Sequence, residues 1–274
     1  MPPITIGLIA AMPDETRPLL RRLHAATLLA QQPFPLWRAQ MGDADIWLAQ
    51  SGMGPKRAES AAARFVEMAS PDVIVSFGFG GGVLPGLSVG DLVMGTGCLH
   101  YDGRDFTPVA GIDAPLAGDV MKALAQRTPL TVTSGTIITS GAILAKHLVA
   151  PLIPAAVTSP VLDMETASVA DIAARHDIPL LALRAITDDA GEEFGFSLDE
   201  FTDTELNIKP HRVVTTLLRK PWILPQLIRL ARSSKRAGEL LASAVLELVE
   251  VLPATTRRTP SYSFVQRPET ADQG

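Results

Sequence analysis

The sequence is poor in cysteine, in long apolar runs and in net positive charge. Its one cysteine in 274 residues, Cys98, excludes an internal disulfide framework and fits a reducing compartment. That thiol is expected to be a small buried residue rather than a nucleophile. No apolar run approaches the ~20 residues that a membrane-spanning helix needs. The opening MPPITIGLIAAMPDE lacks the basic leader of a signal peptide, so the expected location is the cytoplasm. With 24 Lys and Arg against 29 Asp and Glu, the formal charge is −5, which argues against nucleic acid as a partner.

What is present is an ordinary globular composition, 47% hydrophobic and 19% charged, long enough to bury a sizeable core. Strand-like and helix-like stretches alternate. ITIGLIAA (4–11) reads as a buried strand and is followed by the helix-like PDETRPLLRRLHAA. LWRAQ and ADIWLAQ suggest a hairpin around Met41, Gly42 and Asp43. Pro55 opens an alanine-rich helix, and VIVSFGFGG, DLVMGTG and TVTSGTIITSG read as strands. LDMET leads into the helix TASVADIAARH, then PLLALRAITDD is a further strand. Helix-like segments near 198–218 and 222–250 complete a single catalytic domain over 1–252, with basic C-terminal helices at 209–250. The alternation predicts an α/β fold with a largely parallel sheet. Residues 253–274, polar and proline-bearing, are expected to form a disordered tail.

The chemistry-bearing stretches lie at the ends of these strands. The glycines Gly78, Gly80, Gly81 and Gly82 around Phe79 do not match G-x-G-x-x-G and do not open a helix, so a dinucleotide site is set aside. A glycine-rich turn where backbone approaches a ligand or another strand accounts for them better. Three acids, Glu15, Glu165 and Asp188, each follow a predicted strand, where ligands gather in open α/β sheets. Each taken alone reads as a helix-terminal or capping acid.

In order, AAMPDET, SGMGP, FGFGGGVLPGLSVGDLV, LDMET and RAITDD resemble the superfamily of purine nucleoside phosphorylases and methylthioadenosine/adenosylhomocysteine nucleosidases, over about residues 4–200. The resemblance implies a single-domain nucleoside phosphorylase-like fold with a central twisted mixed sheet flanked by helices. It implies that Glu15 activates water and that Glu165 holds the ribose hydroxyls and steadies a cationic sugar. Asp188 would protonate the purine. Met53, Gly78, Phe79, Gly80, Ile143 and Met164 are the implied substrate contacts. The division of labour is chemically reasonable, because an oxocarbenium-like transition state needs a stabilising carboxylate and a protonated leaving group. An acid at Asp188 must reach the reaction carrying its proton, and Asp189 is the candidate neighbour that keeps it there.

Two departures shift the expectation away from methylthioadenosine. Phe79 stands where those nucleosidases commonly have a small hydroxyl residue, and Ile143 stands in place of the adenine-stacking aromatic. A closer resemblance is to the hopanoid-associated phosphorylases, thought to release adenine from adenosylhopane. It rests on Glu15 with Arg17, the G-P-x-R-A of Gly54 to Ala58, SFG before the glycines, DMET with Asp163, and LLRKPWILPQLIRLAR at 217–232. Asp163 reads as a supporting or structural acid.

Between Leu206 and Gly238 there are eight cations and no acid; with the whole chain at −5, those eight charges leave −13 on the rest. Trp222, Ile223, Leu227 and Leu230 accompany them, as in a helix lying on an anionic membrane, although a helix packed on the domain with a solvated basic face fits as well. The expected location thus extends to the inner membrane face. Phosphorolysis would need a cationic clamp, for which Arg17, Arg57 and Arg104 are candidates. Glu15 would repel phosphate, which favours hydrolysis. No metal or cofactor is implied beyond inorganic phosphate as a candidate co-substrate; the partner is a small adenine nucleoside, and the family usually forms oligomers. Besides these enzymes, a nucleoside-binding sensor is the non-catalytic alternative, disfavoured by the intact trio of acids.

Overall fold

The computed structural model describes residues 3–142, 144–192, 200–202 and 209–256. Its centre is a mixed sheet built from ten strands among the described residues. β1 (Ile4–Ala10) pairs in parallel with β4 (Ala44–Gln50) on one side and β5 (Val73–Gly82) on the other. β3 (Leu36–Met41) pairs antiparallel with β4 through the expected hairpin, and β2 (Thr27–Ala30) adds an edge strand.

Beyond β5 the sheet closes on itself. β5 pairs in parallel with β10 (Leu180–Asp188), which runs antiparallel to β6 (Leu92–Tyr101). β6 is parallel to β8 (Val132–Ser140), β8 to β9 (Val161–Asp163), and β9 returns antiparallel to β5. β7 (Phe106–Val109) hangs on β6. The sheet is therefore mixed rather than largely parallel, since β6 and β9 turn back against their neighbours. Ring closure also leaves β5 and β10 without a free edge.

Two layers of helix cover the sheet. α1 (Pro13–Leu20), α3 (Ala114–Arg127) and α7 (Leu224–Thr256) pack on one face, where Leu19, Leu116, Val120, Leu241, Val245 and Leu248 join the strand residues in one core. α2 (Pro55–Ala69) and α5 (Thr166–Arg175) cover the other through Ala58, Ala62, Phe65, Val169 and Ile172. A four-residue α4 (Lys146–Val149) follows β8, and α6 (Pro210–Arg219) leads through a short 3-10 turn (Pro221–Ile223) into α7.

Three boundaries differ from the sequence expectation. α3 was not foreseen, because Pro115 and Gly118 mask it; its signal is Asp113, whose Oδ1 accepts from the Leu116 N–H at 2.9 Å, ahead of an apolar 116/120/124 spacing. α6 starts at Pro210, as a first-turn proline allows; of the helix expected near 198–218, residues 198–199 and 203–208 lie outside the described residues. α7 carries on through Pro253 to Thr256, because Val251, Leu252 and Thr255 are buried and hold its last turn; the remaining tail, 257–274, lies outside the described residues.

α7 crosses α1 at Gly238, where an added Cβ would lie 2.7 Å from the Asp14 carbonyl oxygen. That oxygen is backbone and cannot swing aside. Gly238→Ala is therefore expected to destabilise the chain by about 1–3 kcal/mol, overriding the ~1 kcal/mol that alanine gains in a helix. Urea denaturation checks the sign.

Candidate active site

The three acids follow or end strands β1, β9 and β10: Glu15 and Glu165 line one cavity, and Asp188 packs against β5 at Gly81. Glu15 sits in the first turn of α1, just past β1, and is buried. Its Oε2 accepts from the N–H groups of Ala11 (2.9 Å) and Met12 (2.7 Å), and its Oε1 from that of Phe79 (2.8 Å). A third-position glutamate reaching back to the helix start is a common capping arrangement, but here the same carboxylate also spans to β5. Burial pushes its pKa up, against the pull of those backbone donors and of Arg184.

The glycine cluster is explained by this approach. The glycines lie within β5 and not on a turn. A Cβ at Gly78 would come within 2.8 Å of Glu15 Oε1, and one at Gly81 within 2.7 Å of Asp188 Oδ2. Strand backbone packs directly against two carboxylates, which only glycine permits. Gly80 lies beneath β9, beside Val161. The Phe79 N–H serves Glu15, while its ring extends toward Gly238 of α7.

Glu165 stands between β9 and α5. Its Oε1 accepts from the Gly54 N–H at 2.8 Å, at the start of α2, and Oε2 from the Met164 N–H at 3.3 Å. Met164 is buried beside it, and Met53, next to Gly54, is half-buried. Burial pushes the Glu165 pKa up to about 8, and the neighbouring carboxylate of Asp163 adds to the shift; Glu15 raises it further. A cavity of about 10 Å³, the room of a single water molecule, is lined by Glu15, Glu165, Ser51, Ser76, Gly78 and Arg184 among others.

Arg184 was quoted in the RAITDD motif without a role, and it is the centre of the buried polar network. Its Nε and Nη2 donate to Asp163 Oδ2 at 3.0 and 2.7 Å; other donors reach Ser76 O, Ser76 Oγ, Leu183 O and Thr166 Oγ1. Asp163 also accepts from Thr139 Oγ1 at 2.6 Å and from the Thr166 N–H and hydroxyl. Both side chains of the pair are almost fully buried. Asp163 is thus a structural acid. Cys98 is buried as expected, its thiol pushed up to about 12 by burial and by Asp163.

At the far side of β5, Asp188 is buried at the end of β10 and accepts from Thr187 Oγ1 at 2.8 Å. Its charged neighbour is Lys146, not Asp189. Lys146 Nζ makes a close ion pair with Asp188 Oδ2 and donates to the carbonyls of Asp188 (3.2 Å) and Asp189 (2.5 Å). The Asp189 side chain turns away to the Gly191 N–H at 2.9 Å, since successive residues leaving a strand point to opposite sides. Lys146 was missed because it sits in a four-residue helix with no periodic signal, 42 residues from its partner.

The arginine candidates do not share a pocket wall. Arg17 is exposed on α1 and Arg104 on the β6–β7 turn, whereas Arg57 lies against Gly52 in the loop that reaches Glu165. Ile143 lies outside the described residues. Among the described residues, no group of three or more His, Cys, Asp or Glu could hold a metal ion, and no helix is long and apolar enough to cross a membrane.

Residues 5–219 match the family model described as the phosphorylase superfamily. This chain belongs to the phosphorylase superfamily. A 5′-methylthioadenosine/S-adenosylhomocysteine nucleosidase of Anoxybacillus flavithermus is 27% identical over 213 residues, 72% of this chain and 91% of the relative. A crystal structure of the Campylobacter jejuni nucleosidase of the same name matches with a TM-score of 0.68 at 20% identity, covering 90% of this chain and 99% of that one. The native futalosine hydrolase of Helicobacter pylori matches equally well in fold, TM-score 0.68 at 14% identity, covering 90% and 97%. The single mixed α/β domain is therefore the phosphorylase-superfamily fold.

Two outcomes follow from this polar core. Arg184→Met leaves Asp163 buried without its cation and is expected to cost about 3–5 kcal/mol in urea denaturation, part of which Asp163→Asn in the same chain restores. For Glu165, the folded chain keeps its proton up to about pH 8 while the unfolded chain loses it near 4.5. The folded state then binds more protons between those values, so its stability falls as pH rises through that window. Thermal midpoints measured from pH 5 to 8 are expected to decline less in Glu165→Gln than in the parent.

Proposed function

We propose that this enzyme hydrolyses the N-glycosidic bond of an adenine nucleoside carrying a 5′ substituent, releasing adenine. The observation that carries the reading is the water-sized cavity lined by two buried carboxylates, Glu15 and Glu165; the third acid, Asp188, is buried at the end of β10, which pairs with β5. In this reaction, Glu15 takes a proton from water as the water oxygen bonds to C1′ and the bond from C1′ to the purine nitrogen breaks. Its raised pKa makes it a better base near neutral pH than an exposed glutamate. Glu165 accepts from the ribose hydroxyls and steadies the cationic sugar, with Met164 and Met53 beside it. The departing electron pair stays on the purine, which Asp188 protonates. Asp188 starts as the carboxylate of its ion pair with Lys146, so the proton it delivers comes from the Lys146 ammonium through Oδ2, leaving that amine neutral until solvent reprotonates it.

Hydrolysis is favoured over phosphorolysis by charge. A phosphate dianion at the cavity would face the Glu15 carboxyl, and the lining cation Arg184 is committed to Asp163 and Ser76. Arg57 lies against Gly52, and Arg17 and Arg104 are exposed. For the 5′ substituent, the curated relatives support methylthioadenosine or adenosylhomocysteine. Adenosylhopane is the second reading, favoured by the exposed apolar side chains Val214, Leu218 and Trp222 among the basic C-terminal residues.

Purified chain is expected to release adenine from at least one of these nucleosides equally well with and without phosphate; release only with phosphate would overturn hydrolysis. Glu15→Gln and Asp188→Asn are each expected to lower kcat by about 10²–10⁴, and Lys146→Met by a comparable factor. Relative kcat/KM for methylthioadenosine, adenosylhomocysteine and adenosylhopane decides the substituent.

A further inference from the structure

The first three turns of α7 stand apart from the fold. No side chain from Leu224 to Arg236 is fully buried, whereas the helix core begins at Ala237. At 1.5 Å per residue that is about 20 Å of helix. α6 precedes it and is similarly open. Five of the ten large apolar side chains exposed among the described residues fall here: Val214, Leu218, Trp222, Leu224 and Ile228. Leu218 and Trp222 are 79% and 67% exposed, more than any other large apolar side chain described.

Their spacing is regular. Val214 and Leu218 are four apart on α6 and Leu224 and Ile228 four apart on α7, so each pair lies along one helix face, and Trp222 stands on the 3-10 turn between them. The buried anchors, Thr216 and Ile223, point the other way into the fold. Cations surround the apolar rows. Arg219, Arg232, Lys235 and Arg236 are exposed, Lys220 is held by Glu200 at 2.8 Å, and Arg229 by Glu192 at 2.9 Å. From 209 to 238 the sequence contains no acid, within a chain of net charge −5.

We infer that residues 211–236 form a docking surface for an anionic phospholipid bilayer. Charge complementarity selects this occupant. A second copy of the chain would have to set the same cationic rows against each other, because a two-fold interface pairs a patch with itself. A bilayer meets both requirements, taking Leu218, Trp222 and Ile228 at the acyl boundary and the arginines at its anionic headgroups. Arg229 bonds Glu192, four residues past Asp188, so the surface is fixed beside the end of β10. The inference concerns binding alone and stands whichever nucleoside is cleaved.

The test is flotation of the full chain with vesicles of phosphatidylcholine alone or mixed with phosphatidylglycerol. The chain is expected to float with the mixed vesicles and not with the neutral ones. Each basic residue near an anionic surface strengthens attachment about fivefold, so Arg219→Gln with Arg232→Gln is expected to weaken it about 25-fold. Leu218→Ser with Trp222→Ser is expected to abolish flotation while leaving the thermal midpoint unchanged. Failure of the parent chain to float with anionic vesicles would overturn the inference. So would sedimentation showing parent dimers that become monomers in the Leu218/Trp222 variant, since a second copy would then own the surface.

Discussion

The buried ion pair of Arg184 and Asp163 is the constraint on which the rest of the site depends. Removing two charges from water costs several kcal/mol per ion and is tolerated only where the remaining donors and acceptors are matched. Here they are: Arg184 reaches β5 through Ser76, β9 through Asp163 and α5 through Thr166, while Thr139 of β8 completes Asp163. Among the described residues no fully buried side-chain nitrogen or oxygen lacks a hydrogen-bond partner. The pair thus ties together β5, β8, β9 and β10, four of the five strands of the closed ring. Glu165 lies two residues beyond Asp163 and Asp188 four beyond Arg184, so fixing the pair fixes the starting points of both acids.

The network also leaves an imbalance. Asp163, Glu165 and Glu15 are three carboxyl groups within electrostatic reach of one guanidinium, and Glu165, desolvated by burial and faced by Asp163 and Glu15, holds its proton to about pH 8. A region in which one acid already stays neutral to limit negative charge is one where an incoming cation is favoured. A neutral nucleoside brings no such charge, whereas an oxocarbenium-like sugar does. The imbalance thus acts more strongly on the transition state than on the ground state, which is the condition for raising kcat under the proposed reaction.

The order of strands and the trio of acids were legible in the sequence because each leaves a local mark: an apolar run, a glycine cluster, an acid at a strand end. The glycines needed coordinates to explain, since their cause is the approach of Glu15 and Asp188 from elsewhere in the chain. What stayed hidden was pairwise and long-range. Lys146 has no local pattern, and its partner is fixed only when β10 and α4 meet. Asp189 looked like the natural neighbour of Asp188 because it is adjacent in sequence, yet strand geometry sends adjacent side chains apart. α3 hid behind a proline and a glycine that its aspartate cap and core-facing leucines outweigh.

α7 links the two halves of the molecule's physics. Its inner part, from Ala237 onward, is core: it packs on α1, which carries Glu15, and lies against the Phe79 ring whose own N–H holds Glu15. Its outer part carries cations and exposed apolar side chains on the same rigid rod. Of the eight positive charges between residues 206 and 238, four (Arg229, Arg232, Lys235 and Arg236) lie on that outer part, while the rest of the sequence carries −13. Under the docking inferred above, that cationic surface would be drawn toward an anionic bilayer before contact. Attraction by charge alone would leave rotation about the rod free. Exposed Leu218 on α6, Trp222 on the 3-10 turn and Ile228 on α7 would add apolar contacts at the lipid that attraction by charge alone lacks. The Arg229–Glu192 ion pair, which ties α7 to the segment just past β10, would then hold that strand end near the docked surface.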